Sequence, residues 1–271
     1  MKTIISIIIL FFSIQFNAQN SSFINEKGKT IKTRFLLPNG FERRNDNETS
    51  FGYYLKNLPL KSSGSLVKYY NGNEKPANNV YDAVINLSIG NKDLHQCADA
   101  VMRLRADYLY SQKRFSEIHF NFTNGFKVDF EKWRKGNRIA IKGNKTSWKF
   151  SAKPSDSYET YWSYLEMIFN YAGTASLEKE LNPIIISDLE IGDVFIKGGF
   201  PGHAIIVVDV AINSKNNKKI FLLAQSYMPA QELQVLKNPN DSSISPWYEV
   251  TSDTSLETPE WSFKTSQLKR F

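Results

Sequence analysis

The feature that most constrains the fold is the segment 204–212, which is apolar except for one residue. Such a run is typical of a strand that is covered by protein on both faces. A shorter apolar segment, 194–196, precedes it, and another, 220–224, follows it. The polar stretch 213–219 joins the last two strands as a hairpin. The sequence therefore predicts an antiparallel sheet with residues 204–212 at its centre.

Two segments, 93–114 and 158–171, repeat apolar residues with the 3.6-residue period of an amphipathic helix. Asp93 is a suitable N-cap for the first helix, and Gln96 follows it by three residues in a capping-box pattern. Gly173 ends the second helix. Helices followed by a run of antiparallel strands predict an α+β fold.

The start of the chain has the order of residues found in secretory signals. Lys2 is followed by a mostly apolar run over residues 4–14, then by the small residue Ala18 and polar residues. The run is shorter than the ~20 apolar residues of a membrane-spanning helix. We therefore expect a signal peptide over residues 1–18, cut within a residue or two of that end. The protein is then exported, either to the periplasm or out of the cell, without a stable membrane anchor.

No shift in composition and no internal repeat divides the rest of the chain. We therefore expect residues 19–271 to form a single α+β domain. Within it, residues 81–271 are expected to form the core, and residues 19–80 are an N-terminal extension whose structure the sequence does not specify.

The composition excludes several functional classes. The net charge is +7, from 34 Lys and Arg against 27 Asp and Glu, but the basic residues are dispersed, so no nucleic-acid partner is expected. No phosphate-binding glycine loop is present, and no cofactor is expected. A zinc site built from His95, Cys97 and His203 is disfavoured because closely spaced ligand pairs are missing. No metal site is therefore predicted.

Cys97 is the single cysteine of the chain, so no disulfide can form within it. It falls in the first turn of the predicted helix 93–114, where the positive end of the helix dipole favours a thiolate. This position suits a nucleophile. The alternative is a small apolar core residue, because free cysteines are often buried and Cys97 also lies on the apolar side of the helix.

His203 opens the central strand and follows directly after Gly202. A histidine at the edge of a strand can offer one ring nitrogen to a thiol and the other to an orienting group. A preceding strand begins after Gly192-Asp193, and a glycine-rich link connects it to His203. His203 is therefore the candidate base for Cys97.

Together these motifs resemble papain-like hydrolases of bacterial cell walls, of the NlpC and CHAP types. The matching elements are the helix start at Cys97, the Gly192-Asp193 strand and the Gly202-His203 strand. The residue after the cysteine departs from the NlpC pattern, because Ala98 stands where serine is usual. The resemblance implies a papain-like fold and a thiol hydrolase of the amidase or peptidase type, with cell-wall peptides as candidate substrates.

In these families a polar residue on the next strand orients the histidine, and Gln225 holds that position here. A hairpin symmetric about Lys215-Asn216 would pair Gln225 with Ile206, whereas a tighter turn near Ser214 would bring it opposite His203. The sequence leaves this register open. Asp209 is a weaker alternative, since it lies about 20 Å along the strand from His203.

Three further residues are candidates for substrate binding: His95, Gly202 and Tyr227. We expect His95 to be a surface residue at the helix start. A second hypothesis keeps the papain-like scaffold but makes the protein a non-catalytic envelope or secreted binding protein with an inert Cys97. The segments 93–110 and 192–229 also resemble a family of exported bacterial proteins known only as a domain of unknown function, which implies no activity.

Overall fold

A computed structural model describes residues 23–76 and 79–271. The predicted signal peptide, residues 1–18, lies outside the described residues. Within them the chain has a mixed α/β fold dominated by one large antiparallel sheet. No helix in this part of the chain is long and apolar enough to cross a membrane.

The α-helices are short except for two. In chain order they are α1 (Ile31–Arg34), α2 (Phe51–Lys56), α3 (Cys97–Ser111), α4 (Phe130–Arg134), α5 (Tyr158–Tyr171) and α6 (Thr174–Glu180).

The strands are concentrated in the second half of the chain. They are β1 (Phe41–Arg43), β2 (Tyr81–Val84), β3 (His119–Asn121), β4 (Lys127–Asp129), β5 (Asn137–Lys142), β6 (Lys145–Phe150), β7 (Asn182–Pro183), β8 (Val194–Lys197), β9 (His203–Asn213), β10 (Lys219–Gln225), β11 (Gln234–Leu236), β12 (Tyr248–Glu249), β13 (Ser255–Glu257), β14 (Ser262–Lys264) and β15 (Leu268–Arg270).

The large sheet has the order β2-β11-β10-β9-β8-β15-β7, with β1 also pairing with β9 and β12 with β10. Strand β9 lies in the middle and pairs antiparallel with β8, β10 and β1. The predicted central strand and its two neighbours are therefore confirmed.

Strand β9 is apolar along most of its length because both faces of the sheet are covered. Ile206 and Val208 belong to a core cluster that includes residues of α3 and α5. Ile205 and Val207 point to the other side, into a second cluster that includes Phe263 of the β13–β14 hairpin. Alternation along a strand sends successive side chains to opposite faces, so a strand between two apolar layers has no polar face.

The two predicted helices differ in how closely the structure matches them. Helix α5 begins and ends where the sequence predicts, at Tyr158 and Tyr171. Helix α3 begins at Cys97, four residues later than expected from Asp93. The predicted start is wrong because the Asp93 carboxylate accepts hydrogen bonds from the Gln96 side chain at 3.1 Å and from the backbone N–H of Ala230 at 2.6 Å.

The segment before residue 81 contributes to the same core as the sheet. Ile31, Phe35 and Leu55 are fully buried in the cluster that contains α3 and β9. Strand β1 pairs with the far end of β9, with Phe41 opposite Asn213. Part of the segment 19–80 therefore packs directly on the central strand.

Candidate active site

Cys97 is the first residue of α3, and Gln96 is the N-cap. The N–H of Gln96 donates to Oδ2 of Asp99 at 3.0 Å, which fixes the turn that leads into the helix. At this position the backbone N–H of Cys97 has no carbonyl partner within the helix. The start of α3 thus offers a thiol and, on the same residue, an N–H group that no carbonyl of the helix accepts.

The Cys97 thiol is enclosed, with 8% of the residue exposed. Burial raises its pKa to about 11, and the neighbouring Asp99 carboxyl adds to the effect. The backbone N–H groups of Ala98, Ala204 and Cys97 itself interact with the sulfur and oppose this shift in its pKa. The thiol is therefore neutral at neutral pH. Because Ala204 follows His203, its contact also brings the sulfur next to the start of β9.

His203 is held at the first position of β9, where it pairs with Lys197. The link before it turns back tightly at Gly202. A Cβ atom there would lie 2.4 Å from the carbonyl oxygen of Gly199 and 2.5 Å from Oγ1 of Thr174. The glycine before the histidine is therefore required by close packing, which brings residues 199–202 against the start of α6.

The imidazole of His203 is 2% exposed. It packs against aromatic rings, with ring centroids 4.7 Å from Tyr227 and 5.3 Å from Trp261. Burial lowers its pKa to about 4, which outweighs the opposing effect of a hydrogen bond with Gln225; the charge of Lys75 lowers it further. The histidine is thus neutral at neutral pH, as a general base must be.

The tautomer of His203 follows from its hydrogen-bond partners. Nε2 of Gln225 donates to Oε2 of Glu260 at 2.6 Å, and a carboxylate can only accept. The amide oxygen of Gln225 therefore faces Nε2 of His203, 2.9 Å away, so Nε2 carries the proton and donates it. The other ring nitrogen, Nδ1, has the free lone pair and makes no hydrogen bond with Cys97 or any other described residue.

An irregularity between β9 and β10 sets which side chains meet. On one side of it, Leu222 pairs with Asp209. On the other side, Leu223 pairs with Val207. Val208 is therefore an extra residue in β9, which is the definition of a β-bulge.

The bulge brings Gln225 to the same face of the sheet as His203. Without it, Gln225 would pair with Ile206 and point to the opposite face. With the register shifted, Ala224 pairs with Ile206, so Gln225 is a diagonal neighbour of His203. Their hydrogen bond depends on this bulge and not on the tighter turn near Ser214 that the sequence left open.

Cys97 and His203 line the same cleft, which has a volume of about 340 Å³. Gly202 and Tyr227 line it as well, whereas Gln225 lies behind the imidazole. Four of the six residues selected from the sequence therefore border one cavity, and a fifth supports one of them.

The cleft has an apolar and aromatic lining. Phe200 and Met228 stand at its rim, 95% and 52% exposed, and Phe169 and Trp261 also line it. The charged residues among its described lining are two aspartates, Asp93 and Asp99, with no lysine or arginine. Burial holds the pKa of Asp99 well above its usual range. The cleft therefore suits apolar groups and offers no cation to a carboxylate.

His95 does not border the cleft, and its prediction as a surface residue is wrong. Its side chain is fully buried and packs edge-on against Phe169. Neither ring nitrogen has a hydrogen-bond partner in another described residue. Burial, followed by the charge of Arg103, lowers its pKa well below the usual value. The helix begins at Cys97, so His95 precedes it and does not take the exposed position expected in a helix that starts at Asp93.

Two other polar residues singled out from the sequence are engaged in ion pairs. Asp193, of the Gly192-Asp193 motif, accepts from Nε of Arg270 at 2.7 Å and so anchors the C-terminal strand. Asp209 accepts from Nε of Arg43 at 2.7 Å, which joins β1 to the sheet. Neither carboxylate contacts His203.

Three residues at this site, Lys75, Glu260 and Trp261, were not predicted from the sequence. The Glu260 carboxylate accepts a hydrogen bond from Gln225 and forms an ion pair with Lys75. The ring of Trp261 packs on His203. Each lies in a connecting segment without a motif and far along the chain from Gln225. Among the described residues, no group of three or more His, Cys, Asp or Glu side chains is arranged to hold a metal ion.

The family described as "Domain of unknown function (4846)" matches residues 31–270. The match includes Cys97, His203, Gln225 and Glu260, and it agrees with the resemblance found in the segments 93–110 and 192–229. No curated protein and no solved structure matches the chain. The comparisons therefore add no support for the papain-like resemblance, and the papain-like fold is not confirmed.

Proposed function

The chain belongs to this family of unknown function, and we propose that it is a thiol hydrolase that cleaves an acyl–nitrogen bond. Cys97 is the nucleophile, His203 the general base and Gln225 the residue that orients the imidazole. The observation that carries the proposal is that the only thiol of the chain and an oriented imidazole with a free Nδ1 line one cleft.

The proposed reaction starts from a neutral pair, since burial raises the pKa of Cys97 to about 11 and lowers that of His203 to about 4. Nδ1 of His203 accepts the thiol proton as the sulfur attacks the carbonyl carbon. This replaces the resting thiolate that the position of Cys97 at a helix start predicts. The N–H of Cys97, which no helical carbonyl accepts, and the positive end of α3 stabilise the oxyanion.

The tetrahedral intermediate then collapses. Nδ1 returns the proton to the leaving amine, the carbon–nitrogen bond breaks, and the acyl group stays on the sulfur as a thioester. Water attacks the thioester with His203 again as the base, which releases a carboxylic acid and restores the thiol. The balance is the addition of one water molecule across one amide bond, so no cofactor is needed.

The lining of the cleft supports a neutral, apolar acyl group as the substrate. Aromatic and thioether side chains surround the opening, and the described lining has no lysine or arginine to pair with a carboxylate. A peptide with an apolar residue before the scissile bond fits this chemistry. Cell-wall peptides remain candidates where the residue at that bond carries no free carboxylate.

The test is the hydrolysis of two amides that differ in charge, acetyl-Phe-p-nitroanilide and acetyl-Glu-p-nitroanilide. We expect the phenylalanine compound to be cleaved faster, and the Cys97→Ser variant to cleave neither at a measurable rate. A His119→Gln variant is the control, since His119 is a half-exposed histidine that does not line the cleft. Equal cleavage by wild type and Cys97→Ser would contradict the proposal.

The second candidate is a non-catalytic binding protein, and the burial of Cys97 is the observation that favours it. A thiol with a pKa of about 11 is a poor nucleophile unless a base is in contact with it. In that case acetyl-Phe-amide would bind equally well to wild type and to Cys97→Ala, and neither p-nitroanilide would be cleaved.

We also propose that the protein acts after export, because Lys2, the apolar run 4–14 and Ala18 have the order of a signal peptide. Expression of the full chain in a bacterial host tests this. The exported product is expected to begin within a residue or two after Ala18, as read by N-terminal sequencing. An uncut chain that stays in the cytoplasm would contradict the proposal.

A further inference from the structure

We propose that Glu260 and Lys75 are positioning residues that fix the orientation of the Gln225 amide and, through it, the proton on Nε2 of His203. The benefit of this arrangement rests on the proposed function: a proton held on Nε2 leaves Nδ1 free to accept the proton of Cys97. The arrangement itself can be tested without any turnover.

Glu260 contacts the side-chain amide of Gln225 directly. A glutamine side chain can rotate by half a turn and exchange its oxygen and nitrogen with little change in shape. With Nε2 of Gln225 donating to Oε2 of Glu260 at 2.6 Å, such a rotation would set the amide oxygen against the carboxylate. The rotation is therefore disfavoured, and the amide oxygen is kept toward His203.

Glu260 in turn forms an ion pair with Lys75. Nζ of Lys75 donates to both carboxylate oxygens, each at 2.7 Å. The side chain of Lys75 is 5% exposed and that of Glu260 is 21% exposed, so the pair is largely enclosed. A charge that is buried this far is costly to leave without its partner. Each member of the pair therefore restrains the other.

Lys75, Gln225 and Glu260 belong to segments that are far apart in the sequence. Lys75 lies before β2, Gln225 ends β10 and Glu260 lies between β13 and β14. These distant segments meet behind the imidazole in the order Lys75, Glu260, Gln225, His203. The chain of contacts ends at Nε2 of His203, which is hydrogen-bonded to Gln225, and leaves Nδ1 without a partner among the described residues. It therefore selects one tautomer of the proposed base.

The test is the tautomer of His203, measured by long-range ¹H–¹⁵N NMR of the imidazole rings and assigned with a His203→Gln variant. The main variant is Lys75→Met with Glu260→Leu, which removes the two charges together and leaves neither one unpaired. Replacing a buried ion pair with apolar residues of similar size is often neutral for stability. We expect wild type to show the Nε2-protonated form.

In the double variant we expect the ratio of the Nε2-protonated to the Nδ1-protonated form to fall by at least about tenfold, because a charge-assisted hydrogen bond is lost. Glu260→Gln keeps an oxygen that can accept from Gln225 and is expected to retain the wild-type tautomer. The matched control is Lys61→Met with Glu232→Leu, which removes a similar ion pair that does not contact Gln225.

An unchanged tautomer in a folded double variant overturns the inference, as does an equal change in the control pair. If the double variant does not fold, Glu260→Leu alone is measured, with the same expected change and the same contradicting result. The outcome for the proposed function is separate. A tautomer that responds as expected in a protein that cleaves no amide would support the positioning role and would contradict the hydrolase.

Discussion

His95 and His203 are two buried histidines with opposite surroundings. Both lie close to the start of α3 or of β9, and burial lowers the pKa of each below its usual value. His203 is hydrogen-bonded to Gln225 and lines the cleft, whereas the ring of His95 has no partner in another residue that the structure describes and does not line the cleft. The two histidines therefore differ in their hydrogen-bond partners and not in how deeply they are buried.

This comparison separates a candidate catalytic group from a structural one. A perturbed pKa marks either kind of residue, since desolvation alone produces it. A general base also needs an oriented ring and access to the reacting atoms. Only His203 combines these features among the three histidines of the chain, because His119 is half-exposed on β3.

The largest expected effect is on the cleavage rate when each of the two histidines is replaced in turn. His203→Gln removes the proposed base and should lower the rate of acetyl-Phe-p-nitroanilide cleavage by about 10²- to 10⁴-fold. His95→Leu should leave that rate near the wild-type value, because the ring it removes does not reach the cleft. Steady-state kinetics on folded variants check both. An equal loss of cleavage rate in the two variants would contradict the separate roles assigned to the two histidines.

A smaller effect concerns the pH profile. The base must be neutral, so kcat/KM is expected to fall as the pH drops through the pKa of His203, about 4. The charge of Lys75 helps to lower this pKa, and the rings of Tyr227, Trp261 and Phe263 that surround the imidazole carry no charge. Lys75→Met should therefore move the acid limb to higher pH.

The control for that shift is Lys61→Met, which removes a lysine that is paired elsewhere, with Glu232. Its acid limb should coincide with that of wild type. A limb that stays at the same pH in Lys75→Met would show that Lys75 does not act on the base.

The smallest effect concerns stability. His95 has a folded pKa well below 6.5, so between these values the unfolded state binds a proton that the folded state does not, and stability falls as the pH drops. His95→Leu should reduce this slope by about 1 kcal/mol per pH unit near pH 6 and by up to about 1.4 kcal/mol per pH unit at lower pH. Urea titrations at several pH values measure it. An unchanged slope would mean that His95 takes up a proton without unfolding.

The sequence predicted the elements whose burial pattern is local. The apolar run of β9, the two strands beside it and both ends of α5 follow from period and composition alone. Cys97 at a helix start was also predicted, although the helix begins later than Asp93 suggested. The predicted start is wrong because of a tertiary contact. The backbone N–H of Ala230 donates to the Asp93 carboxylate, which would otherwise cap the helix.

The remaining parts of the site depend on contacts that no local pattern encodes. The extra residue Val208 shifts the register by one and decides which face Gln225 occupies. Glu260 and Lys75 reach the site through loops that are distant in sequence. The burial of His95 follows from the packing of Phe169 against it. Each of these becomes visible only when separate segments are brought together.

The central claim is that Cys97 attacks a carbonyl with His203 as its base. Intact-mass measurement after mixing with p-nitrophenyl hexanoate tests it directly, because the chain has a single thiol. We predict one hexanoyl adduct on Cys97 in wild type, lost over time by hydrolysis and greatly slowed in formation in His203→Gln. No adduct on Cys97, or one that forms equally fast without His203, would contradict the account.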